Sequence, residues 1–162
     1  MAGDASRRGS GRHFRFGGEW LVDVSQPVAY EVLADLAHYP DWWPEVRAVA
    51  RLGPTEARVL VRSRLPYTLD LVLHAARAGD TAPSGDDVLH TDLAGDLVGW
   101  ARWCVSAEGE RTRLAFSQEV DVTGTLLGLA AGIGRPLLVW NHEQMMRSAI
   151  RALPGAVRAG GS

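Results

Sequence analysis

Residues 113–123 have the sequence RLAFSQEVDVT, in which two kinds of side chain alternate strictly. Successive side chains of a β-strand point to opposite faces, so this period of two predicts a strand with one buried and one exposed face. Gln118 interrupts the apolar row and needs a polar partner there, because an unpaired buried amide is costly. The expected inward row is Leu114, Phe116, Gln118, Val120 and Val122, and the outward row is Arg113, Ala115, Ser117, Glu119 and Asp121.

Five segments upstream have the same strand character, namely 46–52, 58–65, 68–78, 88–93 and 97–107. Short breaks rich in Gly, Pro or polar residues separate them, and a loop over Gly79–Asp87 is the longest. Parallel strands need a crossover of a dozen or more residues, so the six strands are predicted to pair as antiparallel neighbours. At one break, Gly95 can adopt a positive φ and Asp96 can form a local hydrogen bond, as in a hairpin turn.

The segments on either side of this block complete the prediction. A first strand is expected over Phe14–Val24, followed by a helix near Pro27 with Ser25 as its N-cap. The prolines of Tyr39–Pro44 leave room only for a short helical turn. Residues 126–153 are helical in pattern, and we expect a kink or restart at Gly132–Pro136 and a firm helix over 136–153 that Pro154 ends.

This order of elements predicts an α+β fold. A seven-stranded antiparallel sheet has one apolar face to cover, and the long C-terminal helix is the large element available to cover it. If the sheet curves around that helix, the gap between them becomes an internal cavity. We divide the chain into a disordered leader over 1–12, a single domain over 13–155 and a flexible tail over 156–162.

Composition and net charge exclude several classes of function. A net charge of −2 argues against a nucleic-acid partner, and all 17 basic residues are Arg, which excludes lysine Schiff-base chemistry. The single cysteine, Cys104, and five histidines without ligand spacing predict neither a metal site nor a cofactor. No apolar run approaches the ~20 residues of a membrane span, and the N-terminus has no secretory signal, so a cytoplasmic location is expected.

Three motifs, taken in order, resemble the START-like (SRPBCC) superfamily, in particular its bacterial polyketide cyclase/dehydrase and lipid-transport branch. They are Tyr39–Pro44 (YPDWWP), Gly95–Gly99 (GDLVG) and Trp140–Met146 (WNHEQMM), and the likeness spans residues 14–153. The resemblance implies a helix-grip, Bet v 1-like fold that binds a hydrophobic or aromatic small molecule. It leaves open a cofactor-independent polyketide cyclase or aromatase, a non-catalytic lipid or metabolite carrier, and an interaction protein. It also leaves open a monomer or a homodimer.

The candidate cavity wall includes Trp103, which faces inward if Trp100 and Arg102 face solvent, and Phe116 and Gln118 on the next strand. In the last helix, His142 lies in an apolar stripe with Leu138 and Met145, with Met146 beside it. Both Gln118 and His142 are candidates for ligand contact or catalysis. The alternative is that each is a core residue with an internal hydrogen-bond partner.

Three further candidates have competing interpretations. His90 and Asp92 share a strand face, where they are either an acid–base pair or a solvated surface pair, and we favour the surface pair. Trp42 either contacts ligand at the cavity rim or anchors the short helices. Arg62 and Arg64 are expected to form a solvent-facing row.

Overall fold

A computed structural model describes residues 12–62, 64–75 and 87–159, and for Thr125, Leu127 and Ala159 only the backbone. It confirms the predicted α+β helix-grip fold. The strands are β1 (His13–Val22), β2 (Val46–Arg51), β3 (Glu56–Arg62), β4 (Thr68–Ala75), β5 (Asp87–Gly95), β6 (Leu97–Glu108) and β7 (Arg111–Val122). The helices are α1 (Gln26–Ala34), a 3₁₀ turn (Leu36–His38), α2 (Tyr39–Trp42), α3 (Gly124–Ile133) and α4 (Arg135–Ala159).

Within the described ranges the strands form one seven-stranded sheet in the order β1-β7-β6-β5-β4-β3-β2. Every neighbouring pair is antiparallel, as the short connections predicted. The strand that begins the chain lies beside the last one, with Phe16 opposite Gln118. This register places residues from both ends of the domain on one stretch of the inner face.

The inner face of the sheet and one side of α4 enclose the core. The predicted inward row of β7 is confirmed, since Leu114, Val120 and Val122 are buried. On α4, Met146, Ala149 and Leu153 are buried at the spacing expected for one helix face. Alternation in the strands and helical periodicity in α4 therefore direct their apolar residues toward the same space.

The β5–β6 hairpin depends on two glycines. Gly95 has φ 98°, and a Cβ there would lie 2.5 Å from the carbonyl oxygen of Asp70. A Cβ on Gly99 would lie 2.0 Å from the carbonyl oxygen of Glu119. Asp96 accepts a hydrogen bond from the backbone N–H of Asp70 at 2.8 Å, so it fastens the turn to β4. A side chain at either glycine would separate paired strands.

The C-terminal helix departs from the prediction. Gly134, at φ 94°, does separate α3 from α4, but Pro154 lies inside α4, which continues to Ala159. Proline removes one backbone donor near the end of the helix. The last turns remain helical because Leu153 is 1% exposed and Val157 packs against the core. Residues 156–159 of the predicted tail are thus helical.

Other boundaries shift by a few residues. Ser25 is the N-cap of α1, although its side chain makes no capping hydrogen bond. Three predicted segments lie outside the described residues. They are the leader apart from Arg12, the end of the tail over 160–162, and the 79–87 loop apart from Asp87. None of the helices formed by the described residues is both long and apolar enough to cross a membrane.

Candidate functional site

A cavity of about 660 Å³ lies between the inner face of the sheet and α4. The curved sheet supplies apolar side chains from all seven strands, and α3 and α4 supply the opposite wall. Among the described residues that line it, none is Asp, Glu or Arg, and the polar contributors are few. The polar ones that bear on the chemistry are Thr55, Tyr67, Thr91, Gln118, Asn141 and His142.

The aromatic wall follows from the strand register. Trp103 of β6 lies opposite Phe116 of β7, and both side chains face inward, with ring centres 4.8 Å apart. Both residues line the cavity, as do Leu138, Met145 and Met146 of α4. The structure thus brings these five sequence-predicted residues to one space.

Gln118 and His142, which the sequence offered as separate candidates, are hydrogen-bonded to each other. The distance from His142 Nε2 to Gln118 Oε1 is 2.9 Å. An amide oxygen can only accept, so in this orientation Nε2 carries the proton and donates it. The strand contributes the acceptor and the helix contributes the donor, and the bond ties α4 to the middle of β7.

The surroundings of His142 keep its ring uncharged. The imidazole stacks on Phe16 with ring centres 3.9 Å apart and lies 5.8 Å from Phe116. Burial lowers the pKa of His142 from 6.5 to about 4, because the charged form would lose its hydration. At neutral pH the pair therefore consists of a neutral imidazole and an amide.

The second ring nitrogen of His142 remains available. No described residue forms a hydrogen bond with Nδ1. Within the described part of the chain, the only fully buried side-chain polar atom without a partner is Oε2 of Glu45, so Nδ1 is not sealed in the core. Because His142 lines the cavity, this nitrogen can accept a hydrogen bond from a molecule inside it.

Of the two interpretations of Trp42, its contacts favour the anchor of the short helices. It packs against Tyr39 and Trp43, with ring centres 5.3 and 5.8 Å away, and is not among the residues found to line the cavity. Trp43 does line it, and its Nε1–H donates to the Met145 carbonyl at 3.2 Å. The aromatic segment therefore acts chiefly as an anchor, and the turn of α2 decides which tryptophan faces inward.

His90 and Asp92 do not join the cavity pair. His90 borders the cavity, but its ring lies on the outer face of β5, with Nε2 3.2 Å from Asp92 Oδ1. Arg102 Nε donates to His90 Nδ1 at 3.3 Å, and the Trp100 ring stacks at 5.8 Å. The pair thus belongs to an exposed cluster on the outer face, formed by His90, Asp92, Trp100 and Arg102.

The cavity-wall residues that the sequence analysis did not single out include Phe16, Trp43, Tyr67 and Asn141. Phe14 and Phe16 lie two residues apart in β1 and therefore share a face, and this spacing could have identified Phe16. Asn141 is 6% exposed, and its position three residues after Leu138 and four before Met145 could have placed it on the inward face of α4. Of the arginine row, Arg62 is exposed, while the Arg64 guanidinium lies 6.0 Å from the ring centre of Trp140.

The comparisons with known proteins agree with this architecture. A family model described as polyketide cyclase/dehydrase and lipid transport matches residues 22–142. A search of curated proteins gave no match. Similar solved structures include a START superfamily protein from Mycobacterium smegmatis, with a TM-score of 0.70 and 17% identity, covering 90% of this chain and 97% of that one.

Two further structures are similar over their whole length. A Thermus thermophilus protein has a TM-score of 0.71 and 19% identity, with 92% of this chain and 100% of that one covered. The Zhui aromatase/cyclase from a Streptomyces species has a TM-score of 0.68 and 19% identity, with 90% and 94% covered. At such identities the likeness establishes a shared fold.

Proposed function

The chain belongs to the polyketide cyclase/dehydrase and lipid transport family, and from this premise we propose that it binds a hydrophobic or aromatic small molecule in its internal cavity. The observation that carries the proposal is an apolar cavity of about 660 Å³ with the hydrogen-bonded Gln118–His142 pair in its wall. Small-molecule sites are typically of this size, mostly apolar, with a few polar groups that fix orientation. Neighbours that differ in sequence but share the fold support the same general use.

Titration with an uncharged solvatochromic dye such as Nile red tests this proposal. We expect saturable binding of one dye per chain, with a blue-shifted emission. Ala101 lines the cavity opposite Gln118, so Ala101→Trp should place an indole inside the cavity and weaken binding. Ala115→Trp, on the outer face of β7, is the matched control and should leave it intact. Non-saturable binding, or equal binding by both variants, would overturn the proposal.

A second candidate function is cyclisation of a poly-β-ketone, favoured by the neutral His142 ring in a wall of aromatic side chains. Nδ1 can take a proton from the carbon between two carbonyl groups, and the resulting enolate carbon attacks a third carbonyl. The imidazolium returns the proton to the new alkoxide, and loss of water then requires a second proton transfer. Gln118 holds the ring in place through Nε2. Most of the rate enhancement would come from positioning the chain in the cavity.

Turnover distinguishes the enzyme from the carrier. A triketone analogue is incubated with the protein, and loss of water is followed by mass spectrometry. If His142 transfers the proton, His142→Gln removes the rate enhancement while the analogue still binds. Binding of the analogue without any rate enhancement in the unmodified protein would instead identify a carrier. The Zhui protein, which has a similar fold, is an aromatase/cyclase, and this is the class of activity that the experiment tests.

A further inference from the structure

Among the described residues, no Asp, Glu or Arg side chain lines the cavity. Apart from His90, whose ring lies on the outer face of β5, the polar side chains of the described lining are amides, hydroxyls, indoles and the neutral ring of His142. The ion pairs, such as Arg58–Asp70 and Arg113–Glu108, are solvent-exposed. A carboxylate or ammonium group inside the cavity would lose its hydration without gaining an opposite charge from the described residues, which is very costly.

The hydrogen bond between His142 and Gln118 determines which ring nitrogen can meet a ligand and whether that nitrogen donates or accepts. The Nε2–H of His142 is already donated to Gln118, whereas Nδ1 has a lone pair and no partner among the described residues. A group that meets this nitrogen must therefore donate a hydrogen bond. The ring lies flat against Phe16, and this packing fixes the plane in which the donor must approach.

We infer that the cavity selects an uncharged ligand carrying a hydroxyl group, such as a phenol, enol or alcohol, which donates to Nδ1 of His142. This inference rests on the proposed function and names the chemical class of the molecule bound. An ionised analogue of the same shape would be excluded, and an analogue without the O–H would bind less tightly.

Three probes of nearly equal shape test the inference at pH 7.5: 2-naphthol, 2-methoxynaphthalene and 2-naphthoate. We expect 2-naphthol to bind tightest. Loss of one hydrogen bond should weaken 2-methoxynaphthalene by about 2- to 13-fold. The carboxylic acid must bind in its protonated form, which is about one part in a thousand at this pH, so 2-naphthoate should bind about a thousandfold more weakly.

Variants test whether Gln118 and His142 cause the preference for 2-naphthol over 2-methoxynaphthalene. In the double variant Gln118→Leu/His142→Leu both partners become apolar, which leaves neither stranded and keeps the fold intact. We expect the ratio of 2-naphthol to 2-methoxynaphthalene affinities to fall to about one there. His74→Leu, at an exposed histidine of β4 that does not line the cavity, should leave the ratio unchanged.

The outcomes distinguish the proposed function from the two parts of this inference, the exclusion of charge and the recognition of a hydroxyl group. If none of the three probes binds, the proposed function fails. If 2-naphthoate binds as tightly as 2-naphthol, the function stands and the exclusion of charge is wrong. If 2-naphthol and 2-methoxynaphthalene bind equally to the unmodified protein, or if the double variant keeps the ratio, the hydroxyl recognition by His142 is wrong.

Discussion

Two histidines of this protein have similar partners and different environments. His142 on the inner side bonds Gln118 at 2.9 Å and stacks on Phe16, while His90 on the outer side lies 3.2 Å from Asp92 and stacks on Trp100. The inner ring is packed among apolar side chains, whereas Asp92 and Arg102 beside the outer ring are exposed. Residue type and spacing therefore do not show which histidine ring packs inside the domain, and the side of the sheet does.

The same contrast applies to the two tryptophans of β6. Trp103 faces the cavity and is 8% exposed, whereas Trp100 lies on the outer face beneath Arg102, whose guanidinium is 5.3 Å from its ring centre. Side chains alternate between the two faces of a strand, so residues three positions apart lie on opposite faces. Trp103 therefore faces the proposed site and Trp100 faces the surface.

The largest expected effect comes from truncating these tryptophans. Trp103→Ala should lower the free energy of unfolding by about 3 kcal/mol, because it removes a buried aromatic side chain and enlarges the cavity. Trp100→Ala should cost about 1 kcal/mol, the value of a surface cation–π contact. Urea denaturation followed by circular dichroism measures both. Equal losses would show that the two faces of β6 do not differ as described.

The next effect concerns pH. Burial lowers the pKa of His142 to about 4 from its ordinary 6.5, so in this interval the unfolded chain binds a proton that the folded one does not. The stability contributed by the neutral ring is therefore complete above pH 6.5 and is lost as pH falls toward 4. The loss is on the order of 3 kcal/mol.

Chemical denaturation at a series of pH values between 7.5 and 4 measures this loss. Comparison of the unmodified protein with variants separates the contribution of His142 from that of the other titrating groups. The unmodified protein should lose more stability over this range than His142→Gln does. A His142→Gln profile parallel to that of the unmodified protein would place His142 in contact with bulk water.

The smallest effect comes from deleting the partner of each histidine. Gln118→Leu leaves the Nε2–H of His142 buried without an acceptor and should cost about 1–3 kcal/mol. Asp92→Asn alters an exposed pair and should cost less than about 0.5 kcal/mol. Thermal unfolding monitored by fluorescence compares the two. If Asp92→Asn proved the more damaging, the outer cluster would be the structural one.

Much of the site could be predicted because alternation fixes which strand residues share a face. Once Leu114 and Val120 face the core, Phe116 and Gln118 must do so as well. The choice between Trp42 and Trp43 could not be predicted in the same way. It depends on the orientation of the four-residue helix α2, which is too short to show a periodic pattern.

The sequence by itself determined the antiparallel order, the inward rows and the apolar stripe of α4, because periods of 2 and 3.6 residues are local properties of the chain. Only the tertiary structure decided that Gln118 and His142 meet, that Phe16 covers the imidazole, and that Pro154 stays within a helix. These outcomes depend on the rotation of α4 above the sheet and on the packing of Leu153. Such packing joins residues distant in sequence, so no local pattern encodes it.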